Sequence, residues 1–185
     1  MLEHRKMPSK IMKRAPKDLG GGLFPTHPTA VNYLLDFESF PKHILEPACG
    51  DGAISKILEG RGHRVDSSDL YDHGYGEIGV NFLTDRFPRY PAIVTNPPFY
   101  NGGTEAFARR ALQLATKKVA IFCRLVWISG SAKRHALLRE LEVSRILVCG
   151  RVPMGPKQKG LVDYCWLIWD RLERYDGTRI FWADR

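Results

Sequence analysis

The sequence holds no apolar run long enough to cross a bilayer, and its basic, polar N-terminus has no apolar block or small-residue cleavage site of the kind a secretory signal requires. The expectation is cytoplasmic residence without a membrane partner. Cysteine is scarce. Cys49, Cys123, Cys149 and Cys165 stand far apart with no CxxC pair, which argues against a zinc site and against a disulfide framework. His27, His43, His63 and His73 are scattered without metal-ligand spacing, so no metal is expected. Internal repeats and low-complexity tracts are also missing.

What is present fits one ordinary domain. The chain has 185 residues, of which 44% are apolar and 26% charged, enough for a real core. Net charge is +8, with much of the excess in residues 1–17 and in Arg151, Lys157 and Lys159. Such clustering suits a polyanion, and equally a solvated tail and loop. Residues 1–22 show no hydrophobic period and end in Gly20-Gly21-Gly22, which reads as a basic flexible arm ahead of a single domain over 23–185.

From Phe24 onward the pattern alternates. Helices are predicted near Thr29–Leu35, Gly52–Glu59, Thr104–Thr116 and Ser131–Leu141, with strands at His43–Glu46, Arg64–Ser67, Ala92–Thr95 and Lys118–Arg124. Short apolar strands separated by helices imply an α/β fold, a mostly parallel sheet covered on both faces. In the last third, Arg145–Cys149, Tyr164–Asp170 and Arg179–Trp182 read as strands joined by turns, hence an antiparallel C-terminal edge. The loop from Arg151 to Gly160, with two prolines and basic ends, is a candidate for nucleic-acid contacts through Arg151, Lys157 and Lys159.

Two short runs carry the chemistry. Ile44-Leu45-Glu46 leads into Pro47-Ala48-Cys49-Gly50-Asp51-Gly52, a glycine-containing turn between a strand and a helix, where backbone can approach a nucleotide-like ligand closely. The turn departs from the dinucleotide fingerprint. Its acidic residues, Glu46 and Asp51, would repel a pyrophosphate and suit a cationic ligand better. Asp69 follows the next strand at the spacing of a carboxylate that accepts from ribose hydroxyls.

The second run, Asn96-Pro97-Pro98-Phe99, follows the buried strand Ala92-Ile93-Val94-Thr95, at the end of a parallel sheet where ligands bind. Two prolines fix the backbone. The Asn96 side-chain oxygen and the Pro97 carbonyl can then both accept from one NH2 group, while Phe99 stacks on the ring that bears it.

Together the two runs resemble motif I and the catalytic motif of amino-specific S-adenosylmethionine-dependent methyltransferases with a Rossmann-like fold, most closely adenine-N6 DNA methyltransferases of small phage and prophage type. The resemblance implies S-adenosylmethionine as cofactor, its methionine portion lined by Glu46, Pro47, Ala48, Cys49, Gly50, Asp51 and Gly52. It puts the ribose and adenine on Asp69 and Leu70, and the adenine amino group near Asn81 and Phe82. Asn81 stands where the family usually has Asp. Phe24, Pro25 and Thr26 resemble the segment that closes over the methionine end.

Asn-Pro-Pro-aromatic also marks RNA adenine and guanine methyltransferases and methyltransferases of glutamine side chains, so RNA and protein glutamine stand beside DNA as substrates. The chain is short for the separate recognition domain that usually accompanies this motif order in DNA enzymes. A non-catalytic nucleic-acid-binding module that retains the fold is the alternative of another class. Cys49 reads as a small neutral spacer, since no Pro-Cys dipeptide of the cytosine-C5 type occurs. Trp127, Trp166, Trp169 and Trp182 lie in strand-like segments and read as core or edge packing, with Trp127 the one that could stack a base.

Overall fold

The computed structural model describes residues 23–99, 102–153 and 162–183. The expected basic arm, and Lys157 and Lys159, lie outside them. In chain order the elements are α1 (Pro28–Phe37), β1 (His43–Glu46), α2 (Ser55–Gly60), β2 (Arg64–Asp69), β3 (Glu77–Ile78), β4 (Tyr90–Thr95), α3 (Gly103–Leu114), β5 (Ala115–Arg124), α4 (Val126–Ser129), α5 (Ala132–Glu140), β6 (Arg145–Arg151), β7 (Asp163–Asp170) and β8 (Arg179–Trp182). Local chemistry sets several starts. Pro28 opens α1 behind His27, whose Nδ1 accepts from the Thr29 amide at 3.3 Å. Ser131 opens α5, its hydroxyl accepting from the Arg134 amide at 3.3 Å.

The strands form one sheet in the order β3-β2-β1-β4-β5-β7-β6-β8. All neighbours run parallel except around β7, which is antiparallel to both β5 and β6. The antiparallel C-terminal edge expected from the sequence is there, with one refinement: the reversed strand is interior, and β8 forms the rim. Because β5 and β7 are covered on both faces, their sequences read as near-continuous apolar runs.

Strict alternation sorts the strand residues into two cores. Ile44, Ala92, Val94, Ala120, Phe122, Tyr164 and Trp166 face Ala30, Val31 and Leu34 of α1 and Leu58 of α2. Leu45, Ile93, Val119, Ile121, Cys123 and Leu167 face Phe107, Ala108 and Ala111 of α3. Trp166 lies in the first core and fastens α1 to it, its Nε1 donating to the Ala30 carbonyl at 2.8 Å; Trp169 lies in the second and donates to Leu141 at 2.8 Å. Trp182 is 70% exposed on the rim.

Three readings are corrected. Trp127 belongs to a helical turn, α4, and not to a strand-like segment. The helix expected from Gly52 begins at Ser55, because Gly50 (φ +55°) and Gly52 (φ +82°) sit in left-handed backbone that cannot continue a helix. β3 and α4, of two and four residues, are too short to show a period and were not anticipated.

At the amino ends of the central strands sits a network of charges that opens at its edge, through Arg145, to the exposed Glu173. Glu38, which caps α1, receives Lys118 Nζ at 2.6 Å and also Arg145; Asp170 receives Lys118 at 3.0 Å and Arg145 at 3.1 Å. All four are largely buried, two cations against two carboxylates. Burial alone would raise the Asp170 carboxyl, but the hydrogen bond from Lys118 and its charge hold it below the usual carboxylate value.

Candidate active site

At the opposite, carboxyl end of the sheet, the chain winds from β1 outward to β2 and β3 and then returns to β4 on the other side. That reversal is where open α/β sheets hold ligands. The turn after β1 lies on one side of it. Asp69 pins this turn, Oδ2 accepting from the Gly50 amide and Oδ1 from the Tyr71 amide, both at 2.9 Å. Each oxygen keeps a lone pair for a further donor. A side chain at Gly50 would meet Leu23 at 2.6 Å, so the turn is closely overlaid by the segment that enters α1.

Glu46 is 1% exposed, and its carboxylate accepts from Ser55 Oγ, which in turn lies 2.7 Å from Ser67 Oγ. Among the described residues no cation pairs with it. Burial, with the charges of Asp69 and Asp51 adding to it, raises the Glu46 carboxyl well above the usual range against the pull of Ser55. A cationic ligand would relieve that state. Burial and the charges of Glu46 and Asp69 push the Cys49 thiol up to about 12, which keeps it protonated and agrees with a spacer.

On the other side, β4 delivers Asn96. Its Nδ2 donates to the Phe24 carbonyl at 3.2 Å and to Thr26 Oγ1 at 2.9 Å. A carbonyl can only accept, so the amide orientation is fixed, and Oδ1 is left buried without a partner among the described residues. A buried acceptor of this kind carries a desolvation cost of about 1–3 kcal/mol unless a ligand meets it. Gly103, at the start of α3, presses on the next residues; a side chain there would run into the Pro98 carbonyl. Phe99 sits between Phe24 (6.5 Å between ring centres) and Tyr164 (6.1 Å), with the Arg124 guanidinium 5.2 Å from its ring centre.

Both sides open onto a cavity of about 460 Å³, large enough for a nucleoside-sized ligand. Phe24, Pro25, Thr26, Glu46, Pro47, Ala48, Cys49, Gly50, Asp51, Asp69, Leu70, Asn81 and Phe82 line it, together with Asn96, Pro97, Pro98 and Phe99. Gly52 is not in the lining; it lies under the Tyr75 ring, 2.7 Å from where a Cβ would be. Arg151 is also outside it, exposed and 3.8 Å from Asp163. Asn81 Oδ1 accepts from the Leu83 amide at 3.0 Å and so is spent partly on its own turn.

Sequence reasoning missed Leu23, Ala53, Ile54, Tyr71, His73, Val80, Phe107 and Arg124 in this lining, which also includes Leu83 of the Asn81-Phe82-Leu83 run. Arg124 was within reach: it ends a buried parallel strand, the position that marked Asn96. The others come from loops or from a helix face that no strand-end argument singles out.

No protein-family model matches the sequence, and no curated protein matches it either. Solved structures do. A modification subunit assigned to a type I restriction enzyme from Vibrio vulnificus matches 88% of this chain at TM-score 0.57 and 16% identity. A protein from Listeria monocytogenes assigned to the class I S-adenosylmethionine-dependent methyltransferases matches 84% at 0.63 and 10%. The 23S rRNA methyltransferase ErmE matches 83% at 0.60 and 19%. The chain is similar in fold to all three. It spans 47%, 63% and 72% of their respective lengths. At these identities the likeness establishes the Rossmann-like methyltransferase fold, a mostly parallel sheet with helices on both faces.

Proposed function

We propose that the chain is an S-adenosylmethionine-dependent N-methyltransferase, that residues 23–185 form its single domain behind a basic arm, and that its preferred target is the N6 amino group of adenine in DNA. One observation carries the reading: Asn96, with a buried side-chain oxygen that meets no donor among the described residues, and Glu46, a buried carboxylate that meets no cation among them, line the same cavity. An acceptor at one end and a seat for a cation at the other suit a conjugated NH2 group and a cofactor bearing an ammonium and a sulfonium.

The residues present fit that cofactor. Glu46 and the Pro47–Asp51 turn would hold its methionine portion, Asp69 and Leu70 its ribose and base, and Asn81 and Phe82 the far side of the adenine. When bound, it supplies an electrophilic methyl group. The chain does the rest by position. Asn96 Oδ1, with the Pro97 carbonyl beside it, accepts the two hydrogens of the target amine and so turns the nitrogen lone pair away from the conjugated ring. Phe99 lies against the ring, and Phe24–Thr26 holds the Asn96 amide in the one orientation that presents oxygen. No general base is needed before transfer, since the nitrogen can lose its proton to solvent afterwards.

The fold is shared with structures described as restriction-modification and ribosomal RNA methyltransferases, and RNA offers the same amine. The test is transfer of tritiated methyl from S-adenosylmethionine to pools of DNA, RNA and protein, with calorimetry for cofactor binding. Label in DNA supports the reading, label confined to RNA or to protein moves the substrate, and absence of cofactor binding leaves a non-catalytic binding module.

A further inference from the structure

Beyond the cavity, the chain from Arg124 to Arg139 carries Arg124, Lys133, Arg134 and Arg139 and no carboxylate. Elsewhere about half of the arginines of this fold are neutralised: Arg61 faces Asp36, Arg64 faces Asp66, Arg109 faces Glu140, Arg145 faces Glu38 and Asp170, and Arg179 faces Glu173. Arg124 and Arg134 have no ion-pair partner among the described residues. Each is held on an aromatic ring, Arg124 at 5.2 Å from the Phe99 centre and Arg134 at 5.9 Å from that of Trp127. A guanidinium resting on a ring keeps its N–H fork free for a planar or tetrahedral oxyanion and loses little freedom on binding one.

The two arginines bracket α4, a single exposed turn whose Val126 is 60% exposed, and Arg124 also lines the cavity beside the Asn96–Phe99 run. We infer that Arg124 and Arg134 form a phosphodiester-binding surface at the cavity mouth, which grips the polynucleotide backbone beside the base entering between Asn96 and Phe99. This rests on the methyltransferase reading for the direction of entry, while the phosphate contacts themselves do not depend on catalysis. In this arrangement Trp127 supports an arginine and does not stack a base, and the phosphate surface falls on β5–α4–α5, ahead of the loop after Arg151.

The experiment is fluorescence anisotropy of the full chain with a labelled DNA duplex, a single-stranded DNA and an RNA of matching sequence, across a salt series, alongside calorimetry with S-adenosylmethionine. R124Q and R134Q are each expected to weaken binding several-fold at low salt and to lower the slope of log affinity against log salt by about 1, and the double variant by about 2. R134K, which keeps the charge, should recover most of the slope. R174Q, an exposed arginine beyond β7 at the other end of the sheet, should change nothing. The tightest of the three arms identifies the polynucleotide.

Unchanged slopes in both variants, with the wild type binding, would overturn the inference. So would cofactor binding without affinity for any of the three polynucleotides; the methyltransferase reading would then stand with a protein substrate. Salt slopes that fall as expected in a wild type that ignores the cofactor would uphold the phosphate surface and remove the enzyme.

Discussion

The two ends of the sheet treat buried polar groups in opposite ways. At the amino ends, Glu38, Asp170, Lys118 and Arg145 satisfy one another, and Asp170 is held below its ordinary pKa. At the carboxyl ends, and among the described residues, Glu46 has no cation and Asn96 Oδ1 has no donor, and the Glu46 pKa is raised. Both sets are tied by hydrogen bonds into a rigid frame. The contrast separates groups retained for the fold from groups retained for a ligand: the first are each paired with an opposite charge, and the second are left short of one partner each.

Three variants test that division. Asn96→Ala removes the unpaired acceptor and should lower methyl transfer by about 10²–10³-fold or more while leaving S-adenosylmethionine affinity close to wild type; it also removes the hydrogen bonds that Nδ2 gives Phe24 and Thr26, at a cost in stability of about 1–3 kcal/mol. Loss of cofactor binding as well would assign Asn96 to the wrong ligand. Glu38→Ala is the mirror experiment. It leaves two buried cations to share Asp170, with Glu173 on Arg145 at the edge, and should cost about 3–5 kcal/mol in urea unfolding, with turnover per folded molecule little altered. A loss below about 1 kcal/mol would mean water already reaches the network.

Glu46→Gln has the smallest effect on the free protein and a definite sign. The folded-state pKa lies above the unfolded one, so the protonated carboxyl contributes stability that is full below the unfolded value and is lost as pH rises through the folded value. The glutamine variant should therefore melt close to wild type near pH 4 and above it at pH 8, with weaker cofactor binding throughout. A Tm advantage that does not grow with pH would show that Glu46 is already compensated.

Much of this architecture was legible in the sequence because the strands are short, apolar and buried. β1 begins and ends where His43–Glu46 predicted, and β4, β5 and β7 end where expected and begin only a few residues earlier. The interior place of β7 was not legible, since its partners lie tens of residues away and strand order leaves no local trace. At the site, the acidic turn and Asn96–Phe99 announce their chemistry through residue type. What holds the Asn96 amide does not: Thr26 and Phe24 are more than sixty residues distant in the chain, and nothing in their identity names that partner. Arg124 and Arg134 were passed over because single arginines in a basic protein carry no pattern until their rings are known.

The fastening of α1 has a temporal side. Its first turn is tied to Trp166, and its end, through Glu38, to Arg145, 107 residues later. The same helix follows directly on the Phe24–Thr26 segment. On a ribosome, then, the first-made portion of this domain must wait for nearly the last-made strands before it can settle, and a nascent chain stopped after β5 would display both sequence motifs with no fixed cavity between them.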